Sequence, residues 1–146
     1  MKPKYKVVTY DRYSCTVTSK IYKRKYDKGK IVKAAPDSPG LCVFKTRWRA
    51  EKFVRENETS HKILRVQTTG VGKKIKNLSF DSHSTKKLRS YFKLLNRIED
   101  LREKFKSIPP THKEKEKLYD LFCRLDTYAG SAPEGTYAYP ALKVLN

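Results

Sequence analysis

Tyrosine is interleaved with lysine and arginine through the N-terminal part of the chain. Five of the ten tyrosines lie within the first 26 residues, and eleven lysines and arginines lie within the first 33. Cations neutralise phosphates and aromatic rings stack on unpaired bases, so this pattern is typical of a surface that binds nucleic acid. Two or three of these tyrosines are equally explained as ordinary strand or core residues. The candidate binding residues in this segment are Lys20, Tyr22, Lys23, Arg24, Lys25 and Tyr26.

A second candidate surface is the outer face of a short predicted helix. Trp48, Lys52 and Arg55 recur there at positions i, i+4 and i+7, opposite an apolar stripe on the same helix. A tryptophan beside two cations is a binding feature when it faces solvent. If a helical hairpin from elsewhere in the chain packs on this face, Trp48 is a packing residue instead.

A third candidate surface follows one line of a long predicted helix. The cations on this line are Lys86, Arg89, Lys93, Arg97 and Lys104. A charged outer face is ordinary for a surface helix. The single sign of the charge, interrupted mainly by Asp100, is less ordinary and suits a surface that follows a phosphate backbone.

Catalytic and metal-binding patterns are weak in this sequence. The three histidines fall at a strand start, in a linker and in the first turn of a helix, and none is paired by spacing with a serine or cysteine. Cys15, Cys42 and Cys123 lie far apart and form no C-x-x-C motif, so we expect neither a disulfide nor a zinc site. Gly70–Lys74 lacks the spacing of a phosphate-binding P-loop. We therefore expect no cofactor, no metal and no catalytic residue.

The net charge of +19 is carried entirely by the first 106 residues. From position 107 onward, five lysines and arginines balance five acidic residues. Such an excess indicates a polyanionic partner, with nucleic acid first and an acidic protein or membrane surface behind it, while a face charged only for solubility is the alternative. No stretch is long and apolar enough to span a membrane, and the N-terminus lacks the apolar core of a signal peptide. We expect a cytoplasmic protein without a membrane partner.

The elements that must position these residues divide the chain into a sheet and a helical hairpin. Strands are predicted over Tyr5–Tyr10, Ser14–Thr18, Lys20–Tyr26 (at an edge), Ile31–Lys33, Leu41–Lys45 and Lys62–Thr69, with a helix after Thr46 and a polar linker over Gly70–Ser82. β-branched and aromatic residues favour the strands, and Thr46 suits a helix N-cap. The fold class is therefore α+β: a curved, mostly antiparallel sheet with one helix packed across it.

The helical hairpin is predicted at residues 83–129, as an insertion in a single domain. Pro109-Pro110 must end its first helix, and Thr111 with Glu114 forms the capping box that begins the second. The segment after the hairpin, APEGTYAYPALKVL, is the least charged in the chain. We expect residues 137–145 to return to the first sheet as one buried strand, with Pro140 at an edge or a bulge.

Three segments together resemble a layout found in small, uncharacterised proteins of phages and prophages. They are GLCVFKTRWRAEKFV at 40–54, HKILRVQTTG at 61–70 and APEGTYAYPALKVL at 132–145. In that layout a glycine leads into a short V-F strand, a Ser/Thr-capped helix and a further strand, and the chain closes on an A-P-x-G-T segment. The resemblance covers about half of the chain. It implies a viral or mobile-element origin and carries over no activity.

The pattern VF-x-T-x-x-x-A-x-x-F at the third strand and first helix is also similar to ADP-ribosyltransferase-like folds. Such an enzyme needs a glutamate late in the sheet, and Glu134 is the candidate. The composition and the resemblance to phage proteins together favour a non-enzymatic, phage-type accessory protein. We expect it to bind nucleic acid or a nucleoprotein through a basic, tyrosine-rich face, without reading sequence. The alternatives are a module that docks on an acidic host protein, for example to oppose host defence, a virion component, and this enzyme.

Overall fold

The computed structural model describes residues 2–15, 19–57, 61–79 and 84–146. The strands are β1 (Lys4–Thr9), β2 (Ile31–Lys33), β3 (Leu41–Phe44), β4 (His61–Thr69), β5 (Lys73–Lys74), β6 (Asn77–Ser79), β7 (Ala129–Ser131), β8 (Thr136–Tyr139) and β9 (Ala141–Val144). The helices are α1 (Arg47–Glu56), α2 (Thr85–Ser107) and α3 (His112–Tyr128). The fold is α+β, as the sequence predicts. None of these helices combines the length and the apolar character that crossing a bilayer requires.

The larger sheet has seven strands in the order β2-β9-β4-β1-β3-β8-β5, and every recorded pairing in it is antiparallel. Strands β8 and β9 are separated in the chain by Pro140 alone, yet three other strands lie between them in the sheet. In a flat sheet their axes would be about 19 Å apart. The two chain steps from Tyr139 to Ala141 span at most about 7 Å. The sheet must therefore curl like a barrel until β8 and β9 meet at Pro140.

The corner at Pro140 is closed by backbone contacts from both sides. The amide of Ala34 donates a hydrogen bond to the Pro140 carbonyl over 2.9 Å. Gly40 has φ +132°, and a Cβ built on it would lie 2.8 Å from the Tyr139 carbonyl oxygen. A Cβ built on Gly70 would lie 2.6 Å from the Pro140 ring. The single strand expected over 137–145 is thus two strands, because proline cannot donate to the ladder and breaks the segment at the corner.

The strands enclose one apolar core and support a second on the outside. Val8, Val43, Leu64, Val66 and Leu142 are among the buried residues that fill the inside of the curled sheet. On the outer side, α1 packs across β1, β3 and β4 through a separate cluster centred on the buried residues Val7, Phe44 and Ala50. Helix α1 begins where predicted, since the Thr46 hydroxyl accepts a hydrogen bond from the Arg49 amide.

The helical hairpin forms its own core beside the sheet. The turn between α2 and α3 carries the predicted capping box, in which Thr111 and Glu114 each bond the other's backbone amide. Tyr91, Ile98, Leu121 and Leu125 are buried between the two helices. The ends of the hairpin are tied together by the pairing of β6 with β7, so the polar linker expected over 70–82 contains two short strands, β5 and β6.

The strand expected over Lys20–Tyr26 is not formed. This segment is a turn followed by a single bridge from Lys25 to Tyr13, and its residues fold against the start of α2. The Ser19 and Thr85 hydroxyls share a hydrogen bond, and the Tyr22 ring meets the Phe92 ring edge-on at 4.9 Å. Side-chain packing on the helix has displaced ladder pairing here. Of the strand expected at Ser14–Thr18, Ser14 makes one bridge to Val8, and residues 16–18 lie outside the described residues.

Candidate functional site

Within the part of the chain that the structure describes, no acidic residue lies in a strand. The nine strands of the described ranges contain eight lysines and arginines and no aspartate or glutamate. The acidic residues that the structure describes all lie in helices, turns and loops. The positive charge of the sheet is therefore not offset by carboxylates on the same strands.

Three of these cations lie on a straight diagonal across the outside of the sheet. On β9, Lys143 is directly opposite Ile31 of β2 and Gln67 of β4. Lys33 is two residues from Ile31 on one side, and Arg65 is two residues from Gln67 on the other. Diagonal neighbours on one sheet face are about 7–8 Å apart, so the charges of Lys33, Lys143 and Arg65 cover about 15 Å.

We call the surface around this diagonal the outer sheet face. Its residues are Ile31, Lys33, Arg65, Gln67, Lys143 and Leu145, and all six are exposed. The residues between them along the strands, such as Val32, Val66 and Leu142, point into the core. In the part of the chain that the structure describes, no ion pair involves the three cations. Their charges are free for an external anion.

Hydrogen bonds from other segments fix the backbone beneath this face. The Arg24 guanidinium donates to the Lys33 carbonyl over 2.9 Å, and the Arg65 amide donates to the Asn146 side chain over 2.7 Å. The Leu145 amide also donates to the Arg65 carbonyl. The cations therefore project from a backbone that hydrogen bonds already hold in place. Binding a ligand then costs less conformational entropy of the protein.

Tyr22 and Tyr26 were expected to stack on a ligand, and the structure contradicts this. Both rings are buried, Tyr26 to 1% exposure in the core of the curled sheet and Tyr22 against Phe92. The Tyr22 hydroxyl donates to Asp37, and burial together with this hydrogen bond raises the pKa of Tyr22. Both rings face inward because they pack against elements remote in sequence, Tyr22 on α2 and Tyr26 in the core of the curled sheet.

The cations of the same segment have divided roles. Arg24 is structural, since its guanidinium donates to the carbonyls of Ile21, Lys23 and Lys33. The ammonium groups of Lys23 and Lys25 lie 4.5 and 5.1 Å from the centre of the half-buried Tyr13 ring. Lys20 is exposed. Lys20, Lys23 and Lys25 thus stay in the candidate site, and the two buried tyrosines leave it.

Trp48 is 54% exposed, so the helical hairpin does not cover it. Arg49 and Lys52 lie 5.2 and 5.6 Å from its ring centre. Both cations also meet carboxylates: Arg49 meets Glu134 at 3.3 Å, and Lys52 meets Glu56 at 3.8 Å. Arg55 is exposed on the same helix. This face offers an aromatic platform, but its local charge is closer to neutral than that of the outer sheet face.

The stripe on α2 is exposed along its whole length, and its two ends differ. Lys86, Arg89, Lys93 and Arg97 face solvent, whereas Lys104 is paired with Glu114 at 2.9 Å. Because Ser19 bonds Thr85 and Tyr22 packs on Phe92, the start of this stripe adjoins the turn that carries Lys20. The structure thus brings the first and third predicted surfaces together, and it leaves Trp48 on the separate helix α1.

Lys33, Arg65 and Lys143 were missed by the sequence-based prediction of the site. The signal was present in part, because each cation alternates with buried apolar residues in IVK, HKILRVQTT and ALKV. That alternation marks an outward-facing side chain. It does not give the strand order or register, which alone place the three residues on one diagonal.

The geometry gives little support to an ADP-ribosyltransferase-like site or to a metal site. Glu134 lies in the turn before β8 rather than in a strand, and its side chain is 75% exposed beside Arg49. Within the described ranges, no three histidines, cysteines, aspartates or glutamates come together as metal ligands. Comparison with known proteins found no matching family, protein or solved structure.

Proposed function

We propose that this protein binds single-stranded nucleic acid through the outer sheet face, without reading its sequence. The observation that carries the proposal is the unpaired diagonal of Lys33, Lys143 and Arg65 on a sheet without carboxylates. Each cation neutralises one backbone phosphate and releases its condensed counterions, which supplies affinity that does not depend on sequence.

The surroundings of the diagonal suit a flexible strand better than a duplex. Gln67 adds an amide, while Ile31 and Leu145 add apolar contact area between the charges. Outside this face, Trp48 and Tyr10 are exposed at 54% and 58%, and an exposed ring gains affinity by stacking on an unpaired base. A duplex hides its base faces and cannot use these rings.

The alternative partner is an acidic protein surface, which the same cations would attract. Fluorescence anisotropy with a labelled single-stranded RNA, its DNA counterpart and the matching duplex separates these cases at an ionic strength of about 0.15 M. Poly-glutamate serves as the competitor. We expect the single strands to bind more tightly than the duplex and to resist poly-glutamate. Equal displacement by poly-glutamate at matched charge would instead support a protein partner, and absence of binding to all three nucleic acids would reject the proposal.

A further inference from the structure

A cavity of about 160 Å³ lies between the curled sheet and helix α2. Its lining includes Lys6 of β1, Cys42 of β3, Phe53 of α1, and Tyr91 and Phe92 of α2. Several lining residues are half-buried, among them Pro39, Asn77 and Phe92, so the cavity reaches the surface. An apolar cavity of about 150 Å³ holds a benzene molecule, so this space suits one ring or a short branched chain.

Lys6 is the one charged residue among the described residues that line this cavity. Its side chain is buried, with 8% of the residue exposed. The ammonium donates to the Cys42 carbonyl over 2.7 Å and lies 5.2 Å from the centre of the Tyr26 ring. No carboxylate within the described ranges pairs with it. A buried charge without a counter-ion is costly, and an anion entering the cavity would offset that cost.

The surroundings of Lys6 shift its pKa in opposing directions. Burial lowers the pKa of Lys6, whereas its contacts with Tyr26, Cys42 and Cys15 raise it, and the net direction is upward. The Lys6 side chain donates to a carbonyl and lies over an aromatic ring, and both contacts suit an ammonium group. The neighbouring thiol of Cys42 is neutral, because burial raises its pKa and the opposing effect of Lys6 is smaller.

We propose that this cavity binds a small monocarboxylate whose body is aromatic or branched aliphatic, about the size of benzoate. The carboxylate pairs with the Lys6 ammonium, and the apolar body packs against Phe53, Tyr91 and Phe92. A single negative charge balances the single buried cation, whereas a phosphate dianion would bring a second charge into an apolar site. The cavity lies inside the fold, whereas the outer sheet face lies on its surface. This proposal is therefore independent of nucleic-acid binding.

Isothermal titration calorimetry with benzoate, benzamide and benzyl alcohol tests the proposal on the intact protein. We expect benzoate to bind about tenfold to a hundredfold more tightly than the two neutral probes, since a hydrogen bond to a charged group is worth that factor. Lys6→Met keeps the side-chain length and removes the charge. It should abolish the preference for benzoate and leave the weak binding of benzyl alcohol unchanged.

Thiol alkylation gives a second readout that needs no variant. Cys42 lines the cavity and Cys123 is exposed on α3, so the second cysteine is an internal control. Benzoate should slow the alkylation of Cys42 by N-ethylmaleimide and leave that of Cys123 unchanged. Equal affinity of the wild-type protein for benzoate and benzyl alcohol, or no protection of Cys42 at saturating benzoate, would overturn the proposal even if Lys6→Met fails to fold.

Discussion

Tyr139 and Ala141 are two residues apart in the chain, yet they pair with strands that lie on opposite sides of β1 in the sheet. Tyr139 lies opposite Leu41 of β3, and Ala141 lies opposite Thr69 of β4. This relationship makes the sheet curl. It also explains why the C-terminal segment is nearly uncharged, because alternate residues of β8 and β9 are buried. It also brings β9 beside β4, and this pairing places Lys143 between Lys33 and Arg65.

The corner at Pro140 should be sensitive to a single methyl group at Gly40. In Gly40→Ala, the new Cβ would lie 2.8 Å from the backbone of Tyr139. The alanine would also have to keep the φ of +132° that Gly40 adopts. Gly29→Ala is the matched control, because Gly29 has φ +79° with no atom within 4 Å of its Cβ position. The control should cost about 1–2 kcal/mol from its left-handed backbone alone. Urea unfolding should show a larger loss for Gly40→Ala, and equal losses would mean that the corner tolerates the added atom.

The capping box of α3 should give the fold a pH dependence at the acidic end. The hydrogen bond from Lys104, followed by that from the Thr111 amide, lowers the pKa of Glu114 in the folded protein. The Glu114 carboxylate therefore stabilises the fold above its unfolded-state pKa, about 4.3, and this contribution is lost as pH falls through the lower folded-state value.

Glu114→Gln keeps the hydrogen bond to Thr111 and removes the charge. Its unfolding free energy should be below that of the wild type at pH 7 and should converge with it towards pH 3. Glu103→Gln, which removes an exposed carboxylate paired with Lys106, is the control. A constant difference between Glu114→Gln and the wild type across this range would show that the Glu114 charge does not stabilise the turn.

Trp48 should contribute stacking rather than charge. Trp48→Ala is expected to weaken binding of single-stranded nucleic acid by about 1–3 kcal/mol, the value of one stacked base. The dependence of affinity on salt should stay unchanged, because no phosphate contact is lost. Tyr119→Ala removes another exposed ring, 69% exposed on α3, and should change neither quantity. An equal loss in both variants would mean that Trp48 has no special role.

The parts of the fold that the sequence predicted best are those with local causes. Thr46 caps α1, and Thr111 bonds Glu114 at the turn of the hairpin, because each signal needs only three or four neighbouring residues. Tyr22 and Tyr26 were misplaced for the opposite reason. Their burial depends on α2 and on the core of the sheet, which are remote in sequence.

The candidate site was only partly predictable for the same reason. An outward-facing cation on a strand can be recognised from the alternation around it, as at Arg65. The line from Lys33 through Lys143 to Arg65 depends on two strand pairings between residues up to 112 positions apart, Ile31 with Lys143 and Gln67 with Lys143. Register of this kind follows from the closure of the whole sheet.

The most direct test reverses the diagonal and compares it with an equal change of net charge elsewhere. One variant carries Lys33→Glu, Arg65→Glu and Lys143→Glu. The control carries Lys113→Glu, Lys115→Glu and Lys117→Glu at exposed positions near the start of α3, where acidic residues are tolerated. Thermal unfolding of both variants verifies that they are folded. Anisotropy with labelled single-stranded RNA then gives the affinity as a function of salt concentration.

In the first variant, the slope of log affinity against log salt should become shallower by about 2, because each lost phosphate contact on a single strand accounts for about 0.7. At physiological salt its affinity should fall about tenfold to a hundredfold. The α3 control should keep the wild-type slope. If the reversed diagonal binds RNA as tightly as the wild type at every salt concentration, or if the α3 control weakens binding equally, nucleic acid does not bind through the outer sheet face.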